Sequence, residues 1–168
     1  DPLWASPHVS AVGIDNYMPL ADWRDQDWLG GNPDGARCAD DLEAFKAAVD
    51  AGVATFMTAF SDVNGVPASG NRFLMRTVLR DEWKFPGFVV SDWESIIDMV
   101  VHGFAASEKD AAFEALSAGV DMEMASTTFR DHLPDLLAEK RIDQATLDTA
   151  VRNVLRAFPA ERTVAFFA

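Results

Sequence analysis

The chain of 168 residues carries 27 acidic and 14 basic side chains, a net charge of −13, and a hydrophobic fraction of 49%. The hydrophobic fraction is ordinary for one globular domain with its own core, whereas the excess of negative charge argues against nucleic acid or an anionic membrane as a partner. The single cysteine, Cys38, excludes an internal disulfide, and the sequence shows neither a signal peptide nor an apolar stretch of about 18 residues. We therefore expect a soluble protein and favour a cytoplasmic location.

The first predicted element is a buried strand over residues 9–17, with Asp15 and Tyr17 at its end. The long loop after it is rich in Trp, Asp, Gly and Pro and contains Trp23 and Trp28. Loops of this length are commonly functional, because binding residues concentrate on loops held by a rigid scaffold. The two tryptophans are therefore candidates for stacking on a ligand.

From residue 41 onwards the sequence alternates between helical and strand patterns. Helices are predicted over 41–51, 71–84, 95–101, 107–119, 129–139 and 144–157, from the spacing of apolar residues and from capping residues. Short apolar runs typical of buried strands cover 53–60, 85–91 and 120–124, and Asn64-Gly65-Val66-Pro67 predicts a turn. Together with the first strand, this order is typical of parallel β/α units with right-handed crossovers.

The predicted fold is α/β, a parallel (β/α)4 half of a TIM barrel, because a complete barrel needs about 250 residues. We expect a single domain over residues 1–168, with the first strand and long loop over 1–40, the half-barrel over 41–158 and an apolar tail over 159–168. An open four-stranded parallel sheet leaves two edges and one face uncovered. Two copies related by a two-fold axis would close an eight-stranded barrel, so we expect a homodimer.

A carboxylate ends the most apolar of these strands. The segment Pro-Gly-Phe-Val-Val-Ser-Asp-Trp ends with Asp92 and Trp93. In a β/α barrel, side chains at the carboxyl ends of the strands face the active-site mouth. Because an unpaired buried charge is costly, Asp92 is either a catalytic group or a cap of the next helix. The pattern of residues alone leaves both interpretations open.

Residues 42–158, approximately, resemble the second half of the barrel domain of glycoside hydrolase family 3, the β-glucosidase family. The resemblance is carried by residues 45–53, 57–68, 79–93 and 118–124. It implies hydrolysis of β-glucosides with retention of configuration, with Asp92 as the nucleophile and a small carbohydrate as the substrate. It also implies that Met57 and Phe60 line the sugar-binding subsite, and Ser61 stands where close relatives often carry Asn. Without the resemblance, Met57 and Phe60 would be interpreted as core residues.

Three further residues at strand ends are candidates for binding the substrate: Tyr17, Trp93 and Met124. A Trp at this position can stack on a sugar face, although a Trp beside a strand end can equally belong to the core. The three histidines share no spacing typical of a metal site. We expect neither a metal nor a cofactor.

A retaining glycosidase needs a second carboxyl group about 5–5.5 Å from the nucleophile to act as acid and base. In the family that this chain resembles, the acid/base Glu usually comes from a domain after the barrel, and other sugar-binding residues come from the first half of the barrel. Asp15, which ends the first predicted strand, and Glu94, which lies two residues past Asp92, are therefore replacement candidates. Asp62 and Glu123 share the rim; for these two and Glu94 a solvated or salt-bridged carboxylate is the competing interpretation.

Residues 1–40 resemble a different family of domains, the barrel-like glycosidase domain of gene-transfer-agent and phage-tail proteins. Residues 1–7 and 12–25 carry this second resemblance. The chain would then join pieces of two barrel families, each supplying β/α units. The expected function is that of a glycoside hydrolase; the alternatives are a catalytically inactive half-barrel fragment or sugar-binding remnant and, since fold does not fix function, another enzyme on the same rim.

Overall fold

The computed structural model describes residues 45–157. Its helices are α1 (45–50), α2 (Phe73–Glu82), α3 (Asp98–Val101), α4 (Glu108–Ala118), α5 (Thr128–Ala138) and α6 (Gln144–Ala157). Its strands are β1 (Thr55–Met57), β2 (Asp62–Val63), β3 (Val66–Pro67), β4 (Phe88–Trp93) and β5 (Met122–Met124). The predicted first strand, the long loop and the apolar tail lie outside the described residues.

The central element is a parallel sheet with the strand order β1-β4-β5. Thr55 pairs with Phe88, and Val90 pairs with Met122, both in parallel register. The helices between successive strands of this sheet supply the crossovers that parallel pairing requires. The predicted α/β class is therefore confirmed. The half-barrel and its completion by a second copy stay predictions.

A second, antiparallel sheet forms where the sequence predicts only a turn. Strands β2 and β3 pair as a hairpin around Asn64 and Gly65, whose φ angles are 55° and 75°. Two successive positive φ angles are typical of a type I′ hairpin turn, for which Asn-Gly is the preferred sequence. The Oδ1 of Asp62 accepts a hydrogen bond from the backbone N–H of Gly65 at 3.2 Å. The predicted turn is thus correct, but the predicted strand over 53–60 ends earlier, at Met57.

Helix α4 begins and ends where its capping residues predict. The side chain of Ser107 accepts a hydrogen bond from the backbone N–H of Asp110 at 3.1 Å and satisfies one of the free donors of the first turn. At the other end Gly119 adopts a φ of 115°, and its N–H donates to the carbonyls of Ala115 and Leu116. A left-handed C-terminal residue is the usual position for Gly.

The core lies between the parallel sheet and the helices. Its fully buried side chains come from β4, the segments after it, α4 and α5, and include Val89, Ile96, Met99, Leu116 and Leu136. The buried face of α4 is made of Ala residues at 111, 112, 115 and 118. Small side chains on this face let neighbouring elements approach closely, so α4 contacts both α5 and α6. This packing holds β4 in the middle of the molecule.

The amino end of the sheet is closed by a buried polar network around Asp121, which directly precedes β5. The carboxylate of Asp121 accepts hydrogen bonds from Arg80 at 2.6 Å, from the backbone N–H of Val89 at 2.9 Å and from the side-chain amide of Asn153 at 3.0 Å. These partners join α2, β4 and α6 at one point. In β/α folds this end of the sheet serves stability, whereas the carboxyl ends of the strands carry function.

Candidate active site

Asp92 lies near the carboxyl end of β4, the central strand of the parallel sheet. It is only 5% exposed. The residues that end or follow the neighbouring strands, Thr58 after β1 and Met124 in β5, lie at the same end. The structure therefore places the candidate nucleophile where parallel strands present their functional side chains.

A β-bulge at this position changes how β4 presents its side chains. Val90 pairs with Met122 and Trp93 pairs with Met124, so β4 has one residue more than β5 between these two pairs. In a regular strand, successive side chains point to opposite faces. Here two buried residues of β4, Ser91 and Asp92, lie opposite the single residue Glu123 of β5. Bulges commonly re-aim a side chain next to a functional site.

The backbone around Asp92 is fixed by side-chain hydrogen bonds on both sides. The hydroxyl of Ser91 accepts from the backbone N–H of Met124 at 2.8 Å and donates to the carbonyl of Asp92 at 3.0 Å. On the other side, the backbone N–H of Asp92 donates to Oγ1 of Thr58 at 3.4 Å. The Oδ1 of Asp92 accepts from the backbone N–H of Trp93 at 2.6 Å. The carboxylate is therefore held in a defined orientation.

A cluster of three buried hydroxyl groups lies beside Asp92, and the sequence analysis did not anticipate it. We call it the hydroxyl cluster; it consists of Thr58, Ser69 and Ser95. Oγ1 of Thr58 lies 2.7 Å from Oγ of Ser69, which lies 2.8 Å from Oγ of Ser95. Ser69 belongs to a one-turn 3-10 helix directly after β3 (Ala68–Gly70), and Ser95 belongs to the turn after β4.

The aromatic candidates lie at the surface. Trp93 is 63% exposed and Phe60 is 45% exposed. Neither ring is a core residue, so both are open to contact with a ligand, for which aromatic side chains supply large apolar area. Met57 and Met124 are half-buried in the strands.

A surface cavity of about 350 Å³ borders the β2–β3 hairpin. It is lined by Phe60, Ser61, Asp62, Gly65, Pro67, His102, Gly103 and Phe104. Its size falls in the lower range of ligand pockets. His102, one of the three histidines, lines this cavity together with the predicted sugar-binding residues Phe60 and Ser61.

Glu94 occupies a strained backbone position directly after Trp93. Its φ is 57°, in the left-handed region that non-Gly residues rarely adopt. Its backbone N–H donates to the carbonyl of Met124 at 3.1 Å, which continues the link between β4 and β5. Strain of this kind, about 1–3 kcal/mol, is often found at functional sites. The side chain of Glu94 is exposed at the rim, so it stays a candidate acid/base.

Two other carboxylates at this end serve the backbone. Glu123 accepts hydrogen bonds from the N–H groups of Thr128 at 3.0 Å and Phe129 at 2.7 Å, and a further one from the hydroxyl of Ser126. It thereby caps α5, where a negative charge also complements the helix dipole. Asp62 supports the hairpin turn through Gly65. Asp15, Tyr17, Trp23 and Trp28 lie outside the described residues.

Residues 45–157 contain no group of three His, Cys, Asp or Glu side chains that could hold a metal ion. Within the same residues, none of the helices combines the length and the apolar character that crossing a bilayer requires.

Two family descriptions match the chain. "Glycosyl hydrolase family 3 N terminal domain" matches residues 35–157, and "GTA TIM-barrel-like domain" matches residues 1–58. Both resemblances found in the sequence are thereby confirmed, and the two matches overlap over residues 35–58. The N-terminal segment and the remainder of the chain thus each have relatives among β/α barrels.

Named relatives and solved structures agree with the longer match. The chain is 43% identical over 116 residues to the periplasmic β-glucosidase of Salmonella typhimurium, covering 69% of this chain and 15% of the relative. It is 38% identical over 117 residues to a β-xylosidase of Formosa agariphila, covering 68% and 14%. The cytoplasmic location stays a prediction, since the name of the Salmonella relative is that of a periplasmic protein.

The crystal structure of the Listeria innocua β-glucosidase in complex with isofagomine superimposes with a TM-score of 0.67 at 40% identity, covering 68% of this chain and 16% of that one. The chain therefore spans about a sixth of the length of the proteins that it matches. A family match over residues 35–157, which is most of the chain, together with relatives above 35% identity, establishes the relationship. The chain belongs to glycoside hydrolase family 3.

Proposed function

We propose that the chain is a glycoside hydrolase that cleaves β-glucosides with retention of configuration and uses Asp92 as its nucleophile. The observation that carries the proposal is the position of Asp92, a buried carboxylate at the carboxyl end of the central parallel strand. The hydrogen bond from the N–H of Trp93 fixes the Asp92 carboxylate, and the ring of Trp93, the next residue, is exposed.

The chemistry proceeds in two steps. In the first, an oxygen of Asp92 attacks the anomeric carbon of the sugar, the glycosidic bond breaks, and the leaving group takes a proton from a carboxylic acid. In the second, water hydrolyses the glycosyl–Asp92 ester, and the same carboxyl group acts as base and recovers its proton. Glu94 is the acid/base candidate among the described residues, because it is exposed on the same rim two positions after Asp92. Asp15 is the second candidate.

The proposed substrate is a small neutral β-glucoside. The relatives include proteins named β-glucosidases and β-xylosidases, whose names indicate β-glucosides and β-xylosides as substrates. The exposed ring of Trp93 is suited to stack on the apolar face of a sugar, and Phe60 and Ser61 line the cavity beside the β2–β3 hairpin. Met57, Tyr17 and Met124 complete the set of proposed substrate-binding residues.

Hydrolysis of an aryl β-glucoside by the purified chain tests this proposal. We expect release of the phenol above the spontaneous rate, with saturation in substrate, and formation of β-glucose as the first product, as polarimetry or NMR would detect. The competing interpretation is an inactive half-barrel that binds sugar. Glucose binding by calorimetry without any release of phenol would favour that interpretation and contradict the proposed activity.

We also propose that two copies pair to complete the barrel. Within residues 45–157, neither β1 nor β5 has a strand partner on its outer side, and Met122 of β5 is 42% exposed. Edge strands of this kind favour pairing with another chain. Light scattering at micromolar concentration is expected to give twice the mass of one chain; a monomer mass would contradict the pairing.

A further inference from the structure

The hydroxyl cluster is a buried polar group of side chains that the proposed chemistry does not use. Thr58 and Ser69 are each 1% exposed, and Ser95 is 5% exposed. The three residues come from three separate segments, after β1, after β3 and after β4. Burying hydroxyl groups is unfavourable unless each one finds hydrogen-bond partners. Their presence at the end of the sheet therefore needs a physical reason.

The three hydroxyl groups of the cluster can satisfy one another through two short contacts and one long contact. The three oxygen pairs are Thr58–Ser69 at 2.7 Å, Ser69–Ser95 at 2.8 Å and Thr58–Ser95 at 3.5 Å. Each hydroxyl has one proton to donate, so three hydroxyls supply the three protons that a ring of three contacts requires. Each oxygen accepts one of these protons and retains a further lone pair. The two short contacts hold Thr58 and both serines in fixed positions relative to one another.

The remaining lone pair of the Thr58 hydroxyl oxygen accepts a hydrogen bond from the candidate nucleophile, Asp92. Its Oγ1 accepts the backbone N–H of Asp92 at 3.4 Å, while its own backbone N–H donates to the carbonyl of Val90 at 2.9 Å. Thr58 therefore contacts β4 at Val90, which directly precedes the bulge, and at Asp92, which lies within it. The two serines fix the rotamer of Thr58, since both lie within contact of the same oxygen.

We propose that Thr58 is a positioning residue: through the hydroxyl cluster it fixes the backbone of Asp92 and so the direction of the Asp92 carboxylate. The effect on turnover rests on the proposed function, because it requires Asp92 to be the nucleophile. The effect on the backbone of Asp92 does not rest on the proposed function. A nucleophile misplaced by about 1 Å can lose roughly 100-fold in rate, so the loss of one such contact is expected to be visible in kcat.

The experiment compares Thr58→Val, which removes the hydroxyl at nearly constant shape, with Thr58→Ser, which retains it. Two quantities are measured: hydrogen exchange of the Asp92 amide by NMR, and kcat and KM on an aryl β-glucoside. For Thr58→Val we expect exchange at Asp92 to accelerate about tenfold or more and kcat to fall roughly 10- to 100-fold with little change in KM. Thr58→Ser should remain close to the parent chain in both.

Thr55→Val is the matched control, since it makes the same change at an exposed position of β1. It should alter neither quantity. If Thr58→Val does not fold, Ser95→Ala serves instead, because it removes one hydroxyl of the ring while leaving Thr58 in place. For Ser95→Ala we expect a smaller acceleration of exchange at Asp92 and a smaller decrease in kcat.

Three outcomes separate the two proposals. Parent-like exchange and kcat in the folded Thr58→Val chain, or in Ser95→Ala where that chain replaces it, would overturn the positioning role and leave the proposed function standing. Equal losses in Thr58→Val and Thr58→Ser would also overturn it, since packing and not the hydroxyl would then be responsible. Faster exchange at Asp92 in a chain that never hydrolyses the glucoside would support the positioning role and contradict the proposed function.

Discussion

Replacing Asp92 with Asn is expected to abolish hydrolysis of an aryl β-glucoside while leaving the chain folded. An amide oxygen is too weak a nucleophile to form the glycosyl ester, so the first step fails. The fold should persist because Asn has the same shape, and its carbonyl oxygen can still accept the N–H of Trp93. We expect kcat/KM to fall by about 10⁴-fold, with thermal unfolding close to that of the parent chain.

The matched control is Glu123→Gln, the same carboxylate-to-amide change at the same end of the sheet. Because both oxygens of Glu123 face the N–H groups at the start of α5, this residue caps a helix and has no part in the proposed chemistry. Activity should therefore persist in Glu123→Gln, and only stability should decrease. Unchanged turnover in Asp92→Asn would refute the assignment of the nucleophile.

Local signals in the sequence were enough to predict the class of fold and most helix bounds. Helix α4 is fixed by Ser107 and Gly119, whose backbone requirements are local, and α6 covers the predicted range 144–157. The hairpin β2–β3 escaped prediction because strands of two residues are too short to show alternation. The helix after Asn71 includes wide turns, with the N–H of Trp83 bonded to the carbonyl of Val78, and no pattern of apolar residues reports this.

The candidate site likewise contains features that could be predicted from the sequence and features that could not. Asp92 could be singled out because a short apolar run precedes it and because the segment resembles family 3. The bulge at Ser91 and Asp92 depends on pairing with β5 and has no local signal. The hydroxyl cluster joins positions that lie 11 and 26 residues apart. Contacts over such separations follow from the fold and cannot be read from spacing along the chain.

The two ends of the sheet therefore carry different kinds of buried polar group. At the carboxyl end the buried groups surround the candidate nucleophile. At the amino end they surround Asp121, which the sequence analysis used only as part of a matching segment. Burial raises the pKa of Asp121 above its usual value, although Val89, Asn153 and Arg80 act in the opposite direction. Burial likewise lowers the pKa of Arg80. The network thus contains buried charges on Asp121 and Arg80 that the protein interior disfavours. The hydrogen-bond partners of these two groups are essential to keeping them charged.

Replacing Asp121 with Ala is expected to lower the free energy of unfolding by about 3–5 kcal/mol, since breaking a buried ion pair leaves its partner uncompensated. The Arg80 guanidinium, which also donates to the carbonyls of Phe85 and Gly87, would lose its counter-charge. The N–H of Val89 and the amide of Asn153 would lose their acceptor. Chemical denaturation, with the slope against denaturant checked for constancy, measures the change.

Asp121→Asn separates charge from hydrogen bonding. Its side-chain oxygen can still accept from Val89 or Asn153, but it cannot neutralise Arg80. We therefore expect a loss between those of the parent and Asp121→Ala. Asp148→Ala provides the comparison for an exposed ion pair, here with Arg152, and its effect should be much smaller because solvent screens the pair. A loss in Asp121→Ala no larger than that of Asp148→Ala would contradict the network's role as the anchor between α2, β4 and α6. It would also indicate that the main contribution to the stability of the chain comes from the alanine face of α4 and not from the amino end of the sheet.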